Sequence, residues 1–365
     1  MRKLRGMAAA AIAIAWAIGG CTSQDSSTTA SGEAVTQDDV VKIADLLVVE
    51  GDGAADGAAA GAVGKPATLL ALAQQDDTAA RNALAVVLNV VSDLAEGKAP
   101  TTTGDNTAQQ PYALWTGSKA GVELKFWVVR TATDRLRYLV TGSKAGGPQK
   151  FLLTGVFLKK APKVGGGRLH VSLTNASALF GAPGKTGSLH VWFANHKSDV
   201  KGRRIAFVNV SDPSKADMPV NVVGDALVRP GVGGQARTIA IGDWTDLLPG
   251  VEALAMRVRW KTGVGGRADA LLASLATGQP KTLASLHECW GKDGVRTGYL
   301  ATPADPNNPN EGAVDKCFEL EQQEVPATAA RRDGQDPDPE LDALLLDSGA
   351  AAIDEAEADS QDGSI

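Results

Sequence analysis

The chain has 365 residues with 36 basic and 42 acidic side chains, a net charge of −6, 44% apolar residues and 41 glycines. A net negative chain argues against nucleic acid as a partner, and this much glycine suits many turns better than long helices. Charge is divided by position: +3 over residues 1–20, −7 over 21–60, +10 over 61–318 and −12 over 319–365, so a mildly basic body stands between acidic flanks that screen it or compete for it with an anionic partner.

Residues 1–20 carry Arg2, Lys3 and Arg5, then an apolar stretch from Met7 to Ile18 and two glycines before Cys21. This is the layout of a secretion signal. Twelve apolar residues reach only about 18 Å as a helix, short of the ~30 Å hydrocarbon core. Ile18-Gly19-Gly20-Cys21 resembles the lipobox of bacterial lipoprotein precursors, with Gly19 where that family more often has Ala or Ser. The resemblance implies cleavage before Cys21, acylation of that residue with fatty acids such as palmitate, and export with anchoring to the cell envelope. Thr22 rather than Asp after the cysteine implies the outer membrane if the organism is a diderm. Two or more chains anchor stably where one is marginal.

Residues 21–35 read as a polar tether and 36–100 as a helical segment with a Gly/Ala-rich connector. Thr36 stands three residues before Asp39, a cap ahead of an apolar run. From Asp77 to Glu96, Leu84, Val87, Leu88, Val91 and Leu94 recur at spacings of three and four, which predicts a helix with one buried stripe.

From Tyr112 the period becomes two. About ten strands follow, from "VELKFWVVR" to "RADALLASL", separated by short turns of Gly, Pro, Asn, Asp and Ser. Connections this short suit antiparallel neighbours. The fold class is mainly β: a large antiparallel sheet over residues 111–320, open or partly closed into a barrel, preceded by one or two helices, with disordered termini. In the fourth strand Leu169, Val171 and Leu173 point to a dry face and Arg168, His170 and Ser172 to a wet one.

The internal repeat is "TGSKAG", at Thr116–Gly121 and Thr141–Gly146, read as two similar turns presenting Lys119 and Lys144. "GKTG" at Gly184–Gly187 lacks the spacing of a phosphate loop. "SDVK" with "KTG", and "HECWG", lack the partners of the penicillin-recognising and zinc-helix motifs. His170 and His190 occupy matching polar positions on neighbouring strands and read as two solvated histidines rather than a metal pair, so no metal and no cofactor is expected.

Export makes a Cys289–Cys317 disulfide the expected state of the two remaining cysteines, closing a 289–317 loop rich in Pro, Asn and Gly. Asp305, Asn307, Asn310, Glu311 and Asp315 supply hard oxygens there, but Pro309 breaks the EF-hand pattern and a stapled turn is preferred. Residues 321–365 are acidic, without aromatics, and read as a disordered tail in which only "PELDALLLDSG" has the apolar cluster of a short helix.

No catalytic set emerges. The reading is a lipid-anchored envelope lipoprotein with a non-enzymatic structural or interaction role, its anionic-partner face formed by Lys125, Arg130, Arg135, Arg137, Lys150, Lys159, Lys160 and Lys163. The partner is anionic envelope lipid or polysaccharide. The alternative is a carrier holding an apolar or lipid ligand on a curved sheet, a likeness that rests on element order alone.

Overall fold

The computed structural model describes residues 34–36, 39–40, 67–161, 164–181, 186–195, 200–211, 220–242, 251–275, 281–304, 309–312 and 314. Helix α1 (Thr68–Ala95) precedes strands β1 (Thr102–Asp105), β2 (Pro111–Lys119), β3 (Val122–Ala132), β4 (Arg135–Lys144), β5 (Lys150–Ala161) and β6 (Val164–Ser172). Helix α2 (Leu173–Phe180) follows, then β7 (Thr186–Asn195), β8 (Lys201–Ser211), β9 (Val220–Arg229), β10 (Gly233–Gly242) and β11 (Glu252–Lys261). The chain continues through β12 (Gly265–Ser274), β13 (Lys281–Gly291), β14 (Arg296–Thr302) and β15 (Glu311–Gly312). Among the described residues all fifteen strands form one antiparallel sheet in sequence order, open, with β1 and β15 as its edges.

The expected mainly-β class and open antiparallel meander are what the chain adopts, with more strands than the ten expected. β1, β13, β14 and β15 lie where the sequence reads as breaker or loop: Trp290 pairs with Arg296 across a tight turn inside the 289–317 segment. A helix also interrupts the sheet where the fourth strand was expected to continue. Ser172 caps α2 by accepting from the Asn175 amide, and Gly181 closes it in the left-handed region. Leu173 therefore belongs to a helix.

One face of the sheet, here the inner face, packs on the helices. In β2 to β7 it carries an aromatic row: Trp115 and Phe126 at 5.4 Å, Phe126 and Tyr138 at 6.1 Å, Tyr138 and Phe157 at 4.7 Å, Phe157 and Phe193 at 5.1 Å. The expected stripe Leu84, Val87, Leu88, Val91 and Leu94 of α1 is buried in the same cluster. At the other end of α1, Ala67 and Leu69 pack on Met256, Val258, Ala268, Ala270 and Trp290. A helix of 28 residues is about 42 Å long, and β2 to β12 span about 48 Å at normal strand spacing. Helix α1 is a strut across the strands that ties both ends of the sheet together.

The helix starts nine residues before the expected Asp77 because its cap is remote. The Leu69 amide donates to Glu288 Oε2 at 2.7 Å, from 219 residues away. This buried carboxylate faces the positive end of the helix dipole and is itself paired with Arg296 Nε at 2.8 Å. Arg296 lies over the Tyr299 ring at 4.3 Å.

The repeat "TGSKAG" is a helix-docking element. A β-carbon on Gly117 would lie 2.5 Å from Leu94 of α1, and one on Gly142 would lie 3.0 Å from Leu179 of α2, so each glycine admits a leucine that a side chain would expel. Two residues on, Lys119 pairs with Asp93 of α1 at 2.5 Å, and Lys144 Nζ donates to the Ala178 carbonyl of α2 at 3.0 Å. The turns themselves differ. Ala120 and Gly121 (φ 52° and 76°) make a two-residue hairpin of the I′ kind, while Gly147 and Pro148 lengthen the second.

A second repeat, "GVGGQA" at 231–236 and "GVGGRA" at 263–268, escaped the sequence reading. In each copy the last glycine lies under a tryptophan of the next strand. A β-carbon on Gly234 would meet Trp260 at 2.4 Å, and one on Gly266 would meet Trp290 at 2.2 Å. The bare backbone is the surface on which each indole rests.

Candidate anion-binding face

The strand register places one long row of side chains across the outer face. From β4 to β13 it reads Arg137, Val156, Arg168, Trp192, Arg204, Asp225, Arg237, Arg257, Asp269 and His287, each directly opposite the next. The adjacent row runs Leu227, Gln235, Arg259, Arg267 and Cys289. Beside the first row on its other side lie Val223, Ile239, Ala255 and Leu271. Of these, Ile239 is 54% and Leu271 42% exposed.

Two aspartates organise the arginines. Asp225 accepts from Arg204 Nε at 2.5 Å and stands 3.8 Å from Arg237. Asp269 accepts from Arg267 Nε and Nη2 at 3.0 and 2.8 Å, and from His287 Nδ1 at 2.7 Å. Burial acts to raise the Asp269 carboxyl, but the hydrogen bonds from Arg267 and His287, with their charges, outweigh it and hold the group below the ordinary carboxylate range. Arg257 is exposed and forms no ion pair with a described residue.

The grid is over-supplied with positive charge. Arg237 faces Arg257 across β10 and β11, and Arg259 faces Arg267 across β11 and β12. Like charges directly opposite destabilise a sheet by a few tenths to about 1 kcal/mol per pair. Two such pairs lie side by side, with exposed Ile239 and Leu271 along one flank.

The basic residues expected to share a face are divided between both. Lys125 and Arg137 lie on the outer face. Arg130 is buried on the inner one, where its guanidinium reaches Asp39 at 2.7 Å, with Lys159 3.4 Å from the same carboxylate. Asp39 also accepts from the Thr36 amide at 2.8 Å, the reciprocal half of a capping box, and the Tyr138 hydroxyl donates to its carbonyl. These contacts clamp Thr36 and Asp39 to the sheet. Arg135 and Lys150 are half-buried at strand ends, Lys160 is exposed, and Lys163 lies outside the described residues, as do Cys21, Cys317 and the whole 321–365 tail. The stronger grid on β8 to β12 was legible as alternate arginines in "MRVRW" and "GRAD", once parity is followed through the hairpins.

His170 and His190 do meet, face to face, with ring centres 4.4 Å apart and planes 7° apart. In-plane lone pairs of parallel rings do not converge on one ion, and among the described residues no group of three or more His, Cys, Asp or Glu is placed to hold a metal. His170 is 6% exposed rather than solvated, on an outer-face patch with Trp192, Leu158, Ala194 and Ala206 buried nearby. Burial, then the charge of His190, push its pKa down to about 3. Asn310 Oδ1 accepts from the Ala301 amide at 2.8 Å, and Glu311 lies 3.4 Å from Arg296, so two of the hard-oxygen residues already have protein partners. Cys289 is buried, its sulfur 3.8 Å from the Val314 carbonyl oxygen.

No protein-family model matches this chain, and neither the curated proteins nor the solved structures contain a significant match to it.

Proposed function

We propose that this chain is a non-enzymatic envelope lipoprotein, held to the membrane by acylated Cys21, whose outer sheet face binds anionic lipid headgroups through Arg237, Arg257 and Arg259. The observation that carries the reading is the two pairs of arginines in directly opposed register positions beside exposed Ile239 and Leu271. Arginine offers a planar fork to phosphate, and each basic residue near an anionic surface contributes about 1 kcal/mol. Aliphatic side chains on the same patch favour a lipid surface over a polysaccharide. A Cys289–Cys317 disulfide belongs to the same reading, supported by Val314 lying against Cys289 three residues before Cys317.

Binding to phosphatidylglycerol vesicles tests the face. Arg237→Gln/Arg257→Gln should weaken it at least fivefold at low salt, whereas equal binding by the variant, or preference for a soluble polyanion over vesicles, rejects the lipid reading. Anchoring is tested apart from it: Cys21→Ala should remove the protein from the detergent phase.

The carrier reading retains one favourable observation. Helix α1 packs at its ends on β2–β3 and β11–β12, while β9 and β10 between them turn Val222, Gly224, Ala226, Ala236 and Ala240 inward. Native mass spectrometry with lipid extraction decides it: a co-purifying acyl ligand supports the carrier.

A further inference from the structure

The arginine grid has a counterpart within the chain. Asp338-Pro339-Glu340-Leu341-Asp342-Ala343-Leu344-Leu345-Leu346-Asp347-Ser348-Gly349 begins with an N-cap residue and a proline suited to the first helical position, and ends on a glycine suited to a C-terminal stop. On a helix Leu341, Leu344 and Leu345 form one stripe, with Glu340 and Asp347 along one edge and Asp342 along the other. An apolar stripe edged with carboxylates is the chemical complement of Ile239 and Leu271 edged with arginines.

The tether point lies on the same face. Val314 lies against Cys289, which stands directly opposite Arg267 in the second outer row. From there to Pro339 the chain has 25 residues; a flexible chain of that length spans about 25–30 Å root-mean-square, while β11 is two strands, about 10 Å, from β13. The short tether keeps the segment at high effective concentration over the grid.

We infer that residues 338–349 dock as a helix on the outer face of β9 to β12, with Glu340, Asp342 and Asp347 against Arg237, Arg257 and Arg259, and Leu341 and Leu345 against Ile239 and Leu271. The docked segment occupies the surface that the proposed function assigns to anionic lipid, so it regulates that site, and in this respect it rests on that reading. Because the charges are exposed, salt dissociates it.

Hydrogen exchange on the full chain tests docking without reference to lipid. Amides of 340–348 should be protected at low salt, lose that protection near 0.5 M salt, and lose it at low salt in both Leu341→Ser/Leu345→Ser and Arg237→Gln/Arg257→Gln. Protection that survives the arginine substitutions, or none in the wild-type chain, overturns the inference. Protection that grows with protein concentration overturns it in favour of a second copy as the receiver. Phosphatidylglycerol vesicles supply the second readout: Leu341→Ser/Leu345→Ser should bind at least threefold tighter than wild type at low salt and equally near 0.5 M. If arginine-dependent protection is found but no vesicle binding, docking stands and the lipid reading fails; arginine-dependent vesicle binding without protection rejects docking alone.

Discussion

The two halves of the sheet are built to different ends. From β2 to β8 the inner face is a continuous aromatic and aliphatic core under α1 and α2, with Trp115, Phe126, Leu124, Leu153 and Leu189 all at most 2% exposed. From β9 to β13 it is thinner, with Ala236, Ala240, Ala268 and Ala270 beside Met256 and Val258, and Trp260 and Trp290 laid on glycine backbone. The charge sits opposite the thin half. The first region secures the fold through burial, and the second presents a charged outer surface with arginines in opposed register positions. On the proposed reading, stability and ligand binding are separated along one meander.

Truncation at the heart of each half gives the largest expected effects, for different reasons. Phe126→Ala should cost about 3–5 kcal/mol by opening a cavity in the aromatic row. Arg296→Ala should cost a similar amount in the thin half, because it leaves the fully buried Glu288 carboxylate without its countercharge and loosens the cap of α1. Chemical denaturation measures both. If Arg296→Ala is silent while Phe126→Ala is severe, the strut is not anchored at β13 as described. Overfilling probes the thin half directly: Ala268→Leu, at a fully buried position, should cost about 1–3 kcal/mol.

A smaller effect separates the halves by pH. His170 on β6 has its pKa lowered by burial and by His190 to about 3, so the unfolded chain binds the proton more readily. Its contribution is complete above the unfolded value of about 6.5 and is lost as pH falls toward the folded value, at up to about 1.4 kcal/mol per unit. His170→Gln should flatten the stability profile between pH 6 and 4. Asp269, held low by Arg267 and His287 after burial is overcome, contributes above its unfolded pKa, and that contribution is lost only as pH falls through its lower folded one. Asp269→Asn should therefore act at neutral pH, where His170→Gln leaves this linkage untouched. An unchanged slope in His170→Gln would remove the linkage from the account.

Local patterning carried much of this architecture. The buried stripe of α1 and the period-two strands from Val122 onward are properties of short windows, and both were legible. What escaped depends on partners distant in sequence. The start of α1 is set by Glu288, the burial of Arg130 by Asp39, and the arginine grid by register across six strands, none of which a window contains. Helix α2 escaped for another reason: Leu173 and Thr174 read as the end of a strand and the rest as connection until Ser172 and Gly181 are recognised as its caps. The two copies of "TGSKAG" had identical sequence and a shared purpose, yet only the leucines of α1 and α2 disclose why Gly117 and Gly142 must be glycine.

The central claim is that the outer face of β10 to β12 carries arginines for a ligand rather than for the fold. Parallel measurement of thermal stability and phosphatidylglycerol vesicle binding in Arg237→Gln/Arg257→Gln tests it most directly. Removal of the like charges opposed at Arg237 and Arg257 should leave Tm unchanged or raise it by a few degrees while vesicle binding falls at least fivefold. A variant with lowered Tm and undiminished binding would show that these arginines serve the sheet itself, and would contradict the account.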